Sequence, residues 1–137
     1  MPSSYNRLTL QADIALMQLV SEVKYGEHVR PVCYLIRGQT SVPSPGTFGK
    51  VPGYGYTEDH KISETLQYAN FPIINPDECV RSFKKPPPLK TYCAGYKNGT
   101  AVCQGDSGSG MVFPESASGI VEKYVLKVTE CCFWESM

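Results

Sequence analysis

The chain has 137 residues, with 13 basic and 13 acidic side chains and no formal net charge. This balance excludes a nucleic acid or another polyanion as the expected partner, because such partners select a basic surface. No run approaches the ~20 apolar residues that a membrane-spanning helix needs, so no membrane association is expected. The first residues show no basic and then apolar leader pattern. The length predicts one domain.

Apolar runs with β-branched or aromatic residues predict strands, in chain order, at 13–20, 29–36, 65–74, 110–114 and 123–128. Between them, dense glycine and proline predict loops at 37–49, 52–59, 83–90 and 96–100. One short helix is predicted near 75–83, where Asn75 caps the first turn and Pro76 takes the first helical position. The expected fold class is therefore all-β, with long loops and one short helix.

Six cysteines occur without any Cys-x-x-Cys pair, and only two histidines are present, so neither a metal site nor a cofactor is expected. An even number of widely spaced cysteines favours disulfides formed in an oxidising compartment. No signal peptide is visible in this sequence, so either the chain is cytosolic with free thiols or its true N-terminus is missing. We expect the second, a secreted protein. In that compartment the sequon "NGT" makes Asn98 a glycosylation candidate.

The stretch "AVCQGDSGSGMVF" places Ser107 between two glycines, directly after an aspartate. A serine hydroxyl becomes a useful nucleophile only when a neighbouring base takes its proton. Flanking glycines allow a tight turn that exposes the oxygen and let backbone N–H groups point at a developing oxyanion. Ser107 is therefore the candidate nucleophile of an acyl-transfer reaction.

Five short motifs occur in an order and spacing that resemble the chymotrypsin/trypsin-like serine proteases: "DIAL", "RPVC", "GYG", "YCAGY" and "CQGDSG". The resemblance covers residues 11–127, and residues 128–137 form a divergent tail. Within the family, "NGTAVCQGDSGSGMVF" further resembles the modular or clip-type proteases of arthropod haemolymph. The resemblance implies the second β-barrel of a two-barrel domain plus a remnant of the first, so residues 1–137 are expected to form an incomplete peptidase domain.

By position, the resemblance implies that Ser107 is the nucleophile and Asp13 the buried carboxylate that orients the catalytic histidine. The backbone N–H groups of Gly105 and Ser107 correspond to the oxyanion hole. Asp106 corresponds to the carboxylate that pairs with the N-terminal amine released on zymogen cleavage.

The same resemblance assigns Ala101 to the base of the specificity pocket, where an alanine favours a small or apolar substrate side chain. It also implies that Cys79 and Cys93 form a disulfide around the short helix, and that Cys103 pairs with a cysteine after the nucleophile. Cys33 corresponds to the cysteine that tethers the domain to an upstream segment.

The base is where this sequence departs from the family. The catalytic histidine should precede Asp13, yet nothing in the twelve residues before it resembles that motif. His28 and His60 both follow Asp13 in polar, turn-like surroundings, and each is expected to be a solvated surface residue.

The C-terminal part allows two alignments. In the first, "EKYVLK" is the strand before the substrate-lining segment, and residues 128–137 are unrelated to the family. In the second, "GIVE" at 119–122 is that segment, and Cys131 or Cys132 becomes the partner of Cys103. The first is favoured because the second shortens the hairpin that follows Ser107.

The resulting hypothesis is a serine endopeptidase that acts through an acyl-enzyme on Ser107, incomplete at both ends here and inactive alone. Its partners would be a polypeptide substrate and an upstream activating protease. The alternative is a non-catalytic serine protease homologue with a regulatory or binding role.

Overall fold

The computed structural model describes residues 5–8, 12–34, 42–84, 91–96, 101–102, 104–127 and 130–133, with the backbone alone described at 83, 117 and 130–133. Within these ranges the elements are β1 (Cys33–Tyr34), β2 (Phe48–Gly53), β3 (Gln67–Pro72), α1 (Pro76–Phe83), β4 (Thr91–Ala94), β5 (Val112–Ala117), β6 (Ile120–Leu126) and β7 (Glu130–Phe133). The predicted all-β class is confirmed. No helix in the described ranges is long and apolar enough to cross a bilayer.

The helix α1 begins and ends where local chemistry requires. The Asn75 side chain accepts a hydrogen bond from the Asp77 N–H at 2.9 Å, which satisfies one backbone donor of the first turn. Pro76 takes the first helical position, and Lys84 adopts a left-handed conformation at the other end. The helix predicted near 75–83 is therefore confirmed, together with its cap.

Five strands form one sheet in the order β1-β6-β5-β2-β3. β2 and β3 pair antiparallel along their whole length, from Phe48 opposite Pro72 to Gly53 opposite Gln67. β5 and β6 form an antiparallel hairpin, and β1 runs parallel to β6. β4 pairs in parallel with β7 in a second, two-stranded sheet.

The core lies against one face of the larger sheet. In β2, Gly49 and Val51 are buried while their neighbours are more exposed, as the two-residue period of a strand requires. The rings of Tyr92 and Phe113 meet edge to face, with centroids 6.2 Å apart. The buried cluster comprises Val51, Phe71, Ile73, Tyr92, Ala94, Met111 and Phe113.

The predicted strands at 65–74, 110–114 and 123–128 correspond to β3, β5 and β6, and only Cys33–Tyr34 of the predicted 29–36 strand is a described strand. The prediction for 13–20 is wrong: residues 12–32 form no strand, because no described element runs beside them to complete a hydrogen-bonded ladder.

Three described strands were not predicted: β2, β4 and β7, the last of which lies in the segment 128–137 that was expected to be a divergent tail. β2 contains two glycines and a proline, which usually interrupt strands. Six consecutive pairs with β3 nevertheless hold it in the sheet. β4 is only four residues long and gives too short a pattern for periodicity to reveal.

The hairpin after the candidate nucleophile turns at Ser118 and Gly119, both with positive φ, and continues as β6 through "EKYVLK". Across the hairpin, Lys123 lies opposite Glu115, and their charged groups are 3.1 Å apart. The hydrogen bond and charge of Glu115 raise the pKa of Lys123.

Candidate active site

The turn that carries Ser107 lies between β4 and β5, and the Ser107 side chain is exposed. Gly105 and Gly108 flank it with φ values of +100° and +90°, which only glycine adopts without strain. The Ser109 N–H donates to the Asp106 carbonyl at 3.1 Å and closes the turn. The sequence predicted this geometry: a tight glycine turn that presents a serine hydroxyl.

Asp106 is partly buried, and its carboxylate lies beside Gly53 at the end of β2 and beside Gly55. The Gly55 N–H donates to Asp106 Oδ1 at 2.7 Å. One residue further on, the Tyr56 N–H donates to the Gln104 carbonyl at 3.1 Å. The pairing of Asp106 with an N-terminal amine after zymogen cleavage, which the resemblance implied, stays a prediction.

The two backbones approach closely because glycines face each other. A Cβ on Gly105 would lie 3.0 Å from the Gly55 Cα, and a Cβ on Gly53 or Gly55 would meet the Asp106 carboxylate. Sequence reasoning used "GYG" only as a family motif and did not assign it this role. The available signal was a pair of glycines two residues apart at a strand end, which indicates a close approach on one face.

The other proposed triad residues are exposed in the part of the chain that the structure describes. Asp13 is exposed, whereas the resemblance implied a buried carboxylate, because no described strand or helix pairs with residues 12–32. His28 is exposed near a turn closed by the Gly26 N–H and the Val29 carbonyl, 3.0 Å apart.

His60 lies at the tip of a second turn. Its φ is +56°, its side chain is exposed, and its N–H donates to the Thr57 carbonyl. Within the part of the chain that the structure describes, no hydrogen bond joins the Ser107 hydroxyl to either histidine. Both histidines are surface residues, as the sequence predicted.

Of the remaining residues that the sequence proposed for the site, the structure describes some and not others. Ala101 is half-buried, close before the nucleophile turn. Cys79 and Cys93 are joined by a disulfide with Cα atoms 6.2 Å apart, as the resemblance implied. Cys33 is exposed on β1, and its thiol is free. Asn98, Cys103 and the side chains of Cys131 and Cys132 lie outside the described residues.

Comparison with known proteins identifies the class to which this fold and site belong. The family model described as Trypsin matches residues 2–127. The chain therefore belongs to the trypsin family of serine proteases, and the resemblance drawn from its motifs is confirmed.

Individual relatives are similar over most of this chain. Limulus clotting factor C of Carcinoscorpius rotundicauda is 35% identical over 121 residues, covering 83% of this chain and 12% of the relative. Trypsin II-P29 of Gallus gallus is 32% identical over 120 residues, covering 85% of this chain and 47% of the relative. Serine protease grass of Drosophila melanogaster is 29% identical over 128 residues, covering 92% of this chain and 33% of the relative. The chain thus spans less than half the length of each of these relatives.

Proposed function

We propose that this chain supplies the nucleophile portion of a secreted serine endopeptidase. The observation that carries the proposal is the exposed Ser107 hydroxyl on a glycine turn that Asp106 anchors, in a chain of the trypsin family. Secretion is supported by the disulfide between Cys79 and Cys93, since such bonds persist in oxidising compartments.

In the proposed reaction, Ser107 Oγ attacks the carbonyl carbon of the scissile peptide bond while a base takes its proton. The N–H groups of Gly105 and Ser107 stabilise the oxyanion that forms. The base returns the proton to the leaving amine, and an acyl-enzyme remains on Ser107. Water, deprotonated by the same base, then releases the acid and regenerates the serine.

The base in this proposal is a histidine upstream of Asp13, contributed by a longer polypeptide and oriented by Asp13. Ala101 at the base of the specificity pocket would select a small or apolar side chain. Cys33, whose thiol is exposed, would form the tether to the upstream segment.

The 137 residues alone are proposed to be inactive. Removing the serine or histidine of a catalytic triad costs on the order of 10⁶ in turnover in a well-studied protease. An exposed serine without a base is therefore expected to react no faster than an ordinary surface hydroxyl.

The test is covalent labelling with a fluorophosphonate, which reacts with an activated serine. The purified 137-residue chain should remain unlabelled, and the longest natural polypeptide that contains it should label at Ser107 after limited proteolytic activation. Ser107→Ala in that polypeptide should abolish labelling, whereas Ser109→Ala is the matched control for changing a serine in the same turn.

A second candidate function is a non-catalytic homologue that binds without cleaving. The exposed positions of Asp13, His28 and His60, away from any described contact with Ser107, favour it. Failure of the folded, activated longer polypeptide to label would support this candidate and overturn the first. Stoichiometric labelling of the 137-residue chain would contradict its proposed inactivity.

A further inference from the structure

We propose that Gly53 and Gly55 are positioning residues for Ser107, and that they act by leaving an open seat for the Asp106 carboxylate. The inference rests on the proposed function, because it concerns the placement of the same nucleophile. We call the contact between residues 53–55 and Asp106 the aspartate seat.

The seat has no room for a side chain on either glycine. A Cβ on Gly53 would overlap Asp106 Oδ1 and lie 2.7 Å from its Cγ. A Cβ on Gly55 would lie 2.5 Å from both Oδ1 and Cγ, and 2.6 Å from Oδ2. Neither glycine has a positive φ. Alanine therefore suits both backbone conformations. Any destabilisation by an alanine at either position comes from displacement of the Asp106 carboxylate.

We expect displacement of the Asp106 carboxylate to shift the turn, because rotation of this side chain alone would break its hydrogen bond with Gly55. The side chain is short and Oδ1 is fixed by the 2.7 Å hydrogen bond from Gly55. On the other side of Gly105, the Gln104 carbonyl is held by the Tyr56 N–H. Two anchor points two residues apart determine the direction in which the chain enters Ser107.

The residue between the glycines is not part of the seat. Tyr54 is 55% exposed, so the strand end presents its glycine positions to Asp106 and its tyrosine to solvent. The same hydrogen-bonded contact joins Ser107 to the larger sheet, since β2 is one of its strands. The seat is therefore one link between the sheet and the turn that carries Ser107, in addition to β5, into which the turn continues.

The test is a double-mutant cycle read by amide hydrogen exchange on the ¹⁵N-labelled 137-residue chain. Gly53→Ala should lower the protection of the Gly55 amide roughly tenfold, the size of coupling expected for residues in contact. It should also shift the amide signals of Asp106, Ser107 and Ser109. Gly26→Ala is the matched control, because nothing lies within 4 Å of a Cβ at that position.

The decisive arm repeats Gly53→Ala in an Asp106→Ala background. This arm is read at the Tyr56 amide, because its acceptor, the Gln104 carbonyl, is present in both backgrounds. Gly53→Ala should lower the protection of Tyr56 roughly tenfold in the parent, whereas with the carboxylate gone the alanine meets no obstacle and the protection should change by less than about twofold. A glycine needed only for its backbone would lower the protection of Tyr56 equally in both backgrounds, and that result would overturn the proposal. Should Gly53→Ala fail to fold, Asp106→Ala alone must still remove the protection of Gly55 and shift Ser107, and otherwise the proposal is wrong.

Hydrogen exchange needs no catalysis, so this inference and the proposed function fail separately. In an active longer polypeptide, Gly53→Ala should slow labelling of Ser107 while Gly26→Ala leaves the rate unchanged. Suppose that hydrogen exchange shows Gly53 and Asp106 to be coupled, but that the fluorophosphonate labels Ser107 in no variant of the longer polypeptide. That result would overturn the proposed function and leave this inference standing.

Discussion

At the scale of single residues, Gly49 decides how the core is filled. It is buried in β2 opposite Phe71, and a Cβ there would lie 2.6 Å from Met111 Cε and 2.9 Å from Phe113 Cε1. The two larger side chains therefore occupy the volume that a side chain at position 49 would take. The space that glycine leaves is as much a part of the packing as the side chains themselves.

We expect Gly49→Ala to lower the free energy of unfolding by about 1–3 kcal/mol, the usual cost of overpacking a core. The flexible Met111 can shift, but the Phe113 ring is held edge to face against Tyr92. Urea unfolding measures the change, with Gly26→Ala as the control for replacing glycine in open space. A variant as stable as the parent would show that the core accommodates the extra methyl group.

At the scale of elements, α1 is fastened to the rest of the fold at two places. Asn75 caps its first turn, and Cys79 in the middle of the helix is bonded to Cys93 of β4. Both sulfur positions are buried, with Cys79 1% and Cys93 3% exposed. The disulfide thus joins the helix to the two-stranded sheet through the interior.

Replacing Cys79 and Cys93 together by alanine should lower the free energy of unfolding by roughly 3 kcal/mol, the loop-closure cost for a bridge across 14 positions. Alanine avoids burying an unpaired hydroxyl. Chemical unfolding of oxidised protein gives the measurement, and Cys33→Ala is the control because that thiol is exposed and free. Peptide mapping of the parent that found either Cys79 or Cys93 as a free thiol would contradict the bridge.

At the scale of the whole molecule, the N-terminal segment 12–32 is the largest departure from a packed domain. Leu16, Met17 and Val20 are 98%, 90% and 108% exposed, although apolar side chains of this size are usually buried.

Limited digestion with thermolysin, which cleaves before large apolar residues, should therefore cut within residues 12–32 first. We expect cleavage there to be at least roughly tenfold faster than between residues 48 and 72, where the bonds lie in paired strands and must open before they are cut. Mass spectrometry of the early fragments checks the order. First cleavage inside β2 or β3 would show that the larger sheet, not the N-terminal segment, is the less protected part.

The sequence by itself determined the features that depend on neighbouring residues. Asn75 and Pro76 specify the start of α1 through a side-chain acceptor and a fixed φ, and glycines 105 and 108 specify the turn at Ser107 through their left-handed backbone. The motif order also identified the family. For the helix start and the turn, the residues that specify the backbone conformation lie within a few positions of it, so the local sequence was sufficient to predict both.

The tertiary structure alone decided what depends on segments that are distant in the chain. β2 is a strand despite its glycines and proline because β3 pairs with it. Residues 13–20 look like a strand in sequence, but no described strand covers them. Asp106 meets Gly55 across 51 positions, so no local pattern reveals which atom its carboxylate faces. Strand pairing and close packing are long-range interactions, and they determine both the sheet and the position of the turn that carries Ser107.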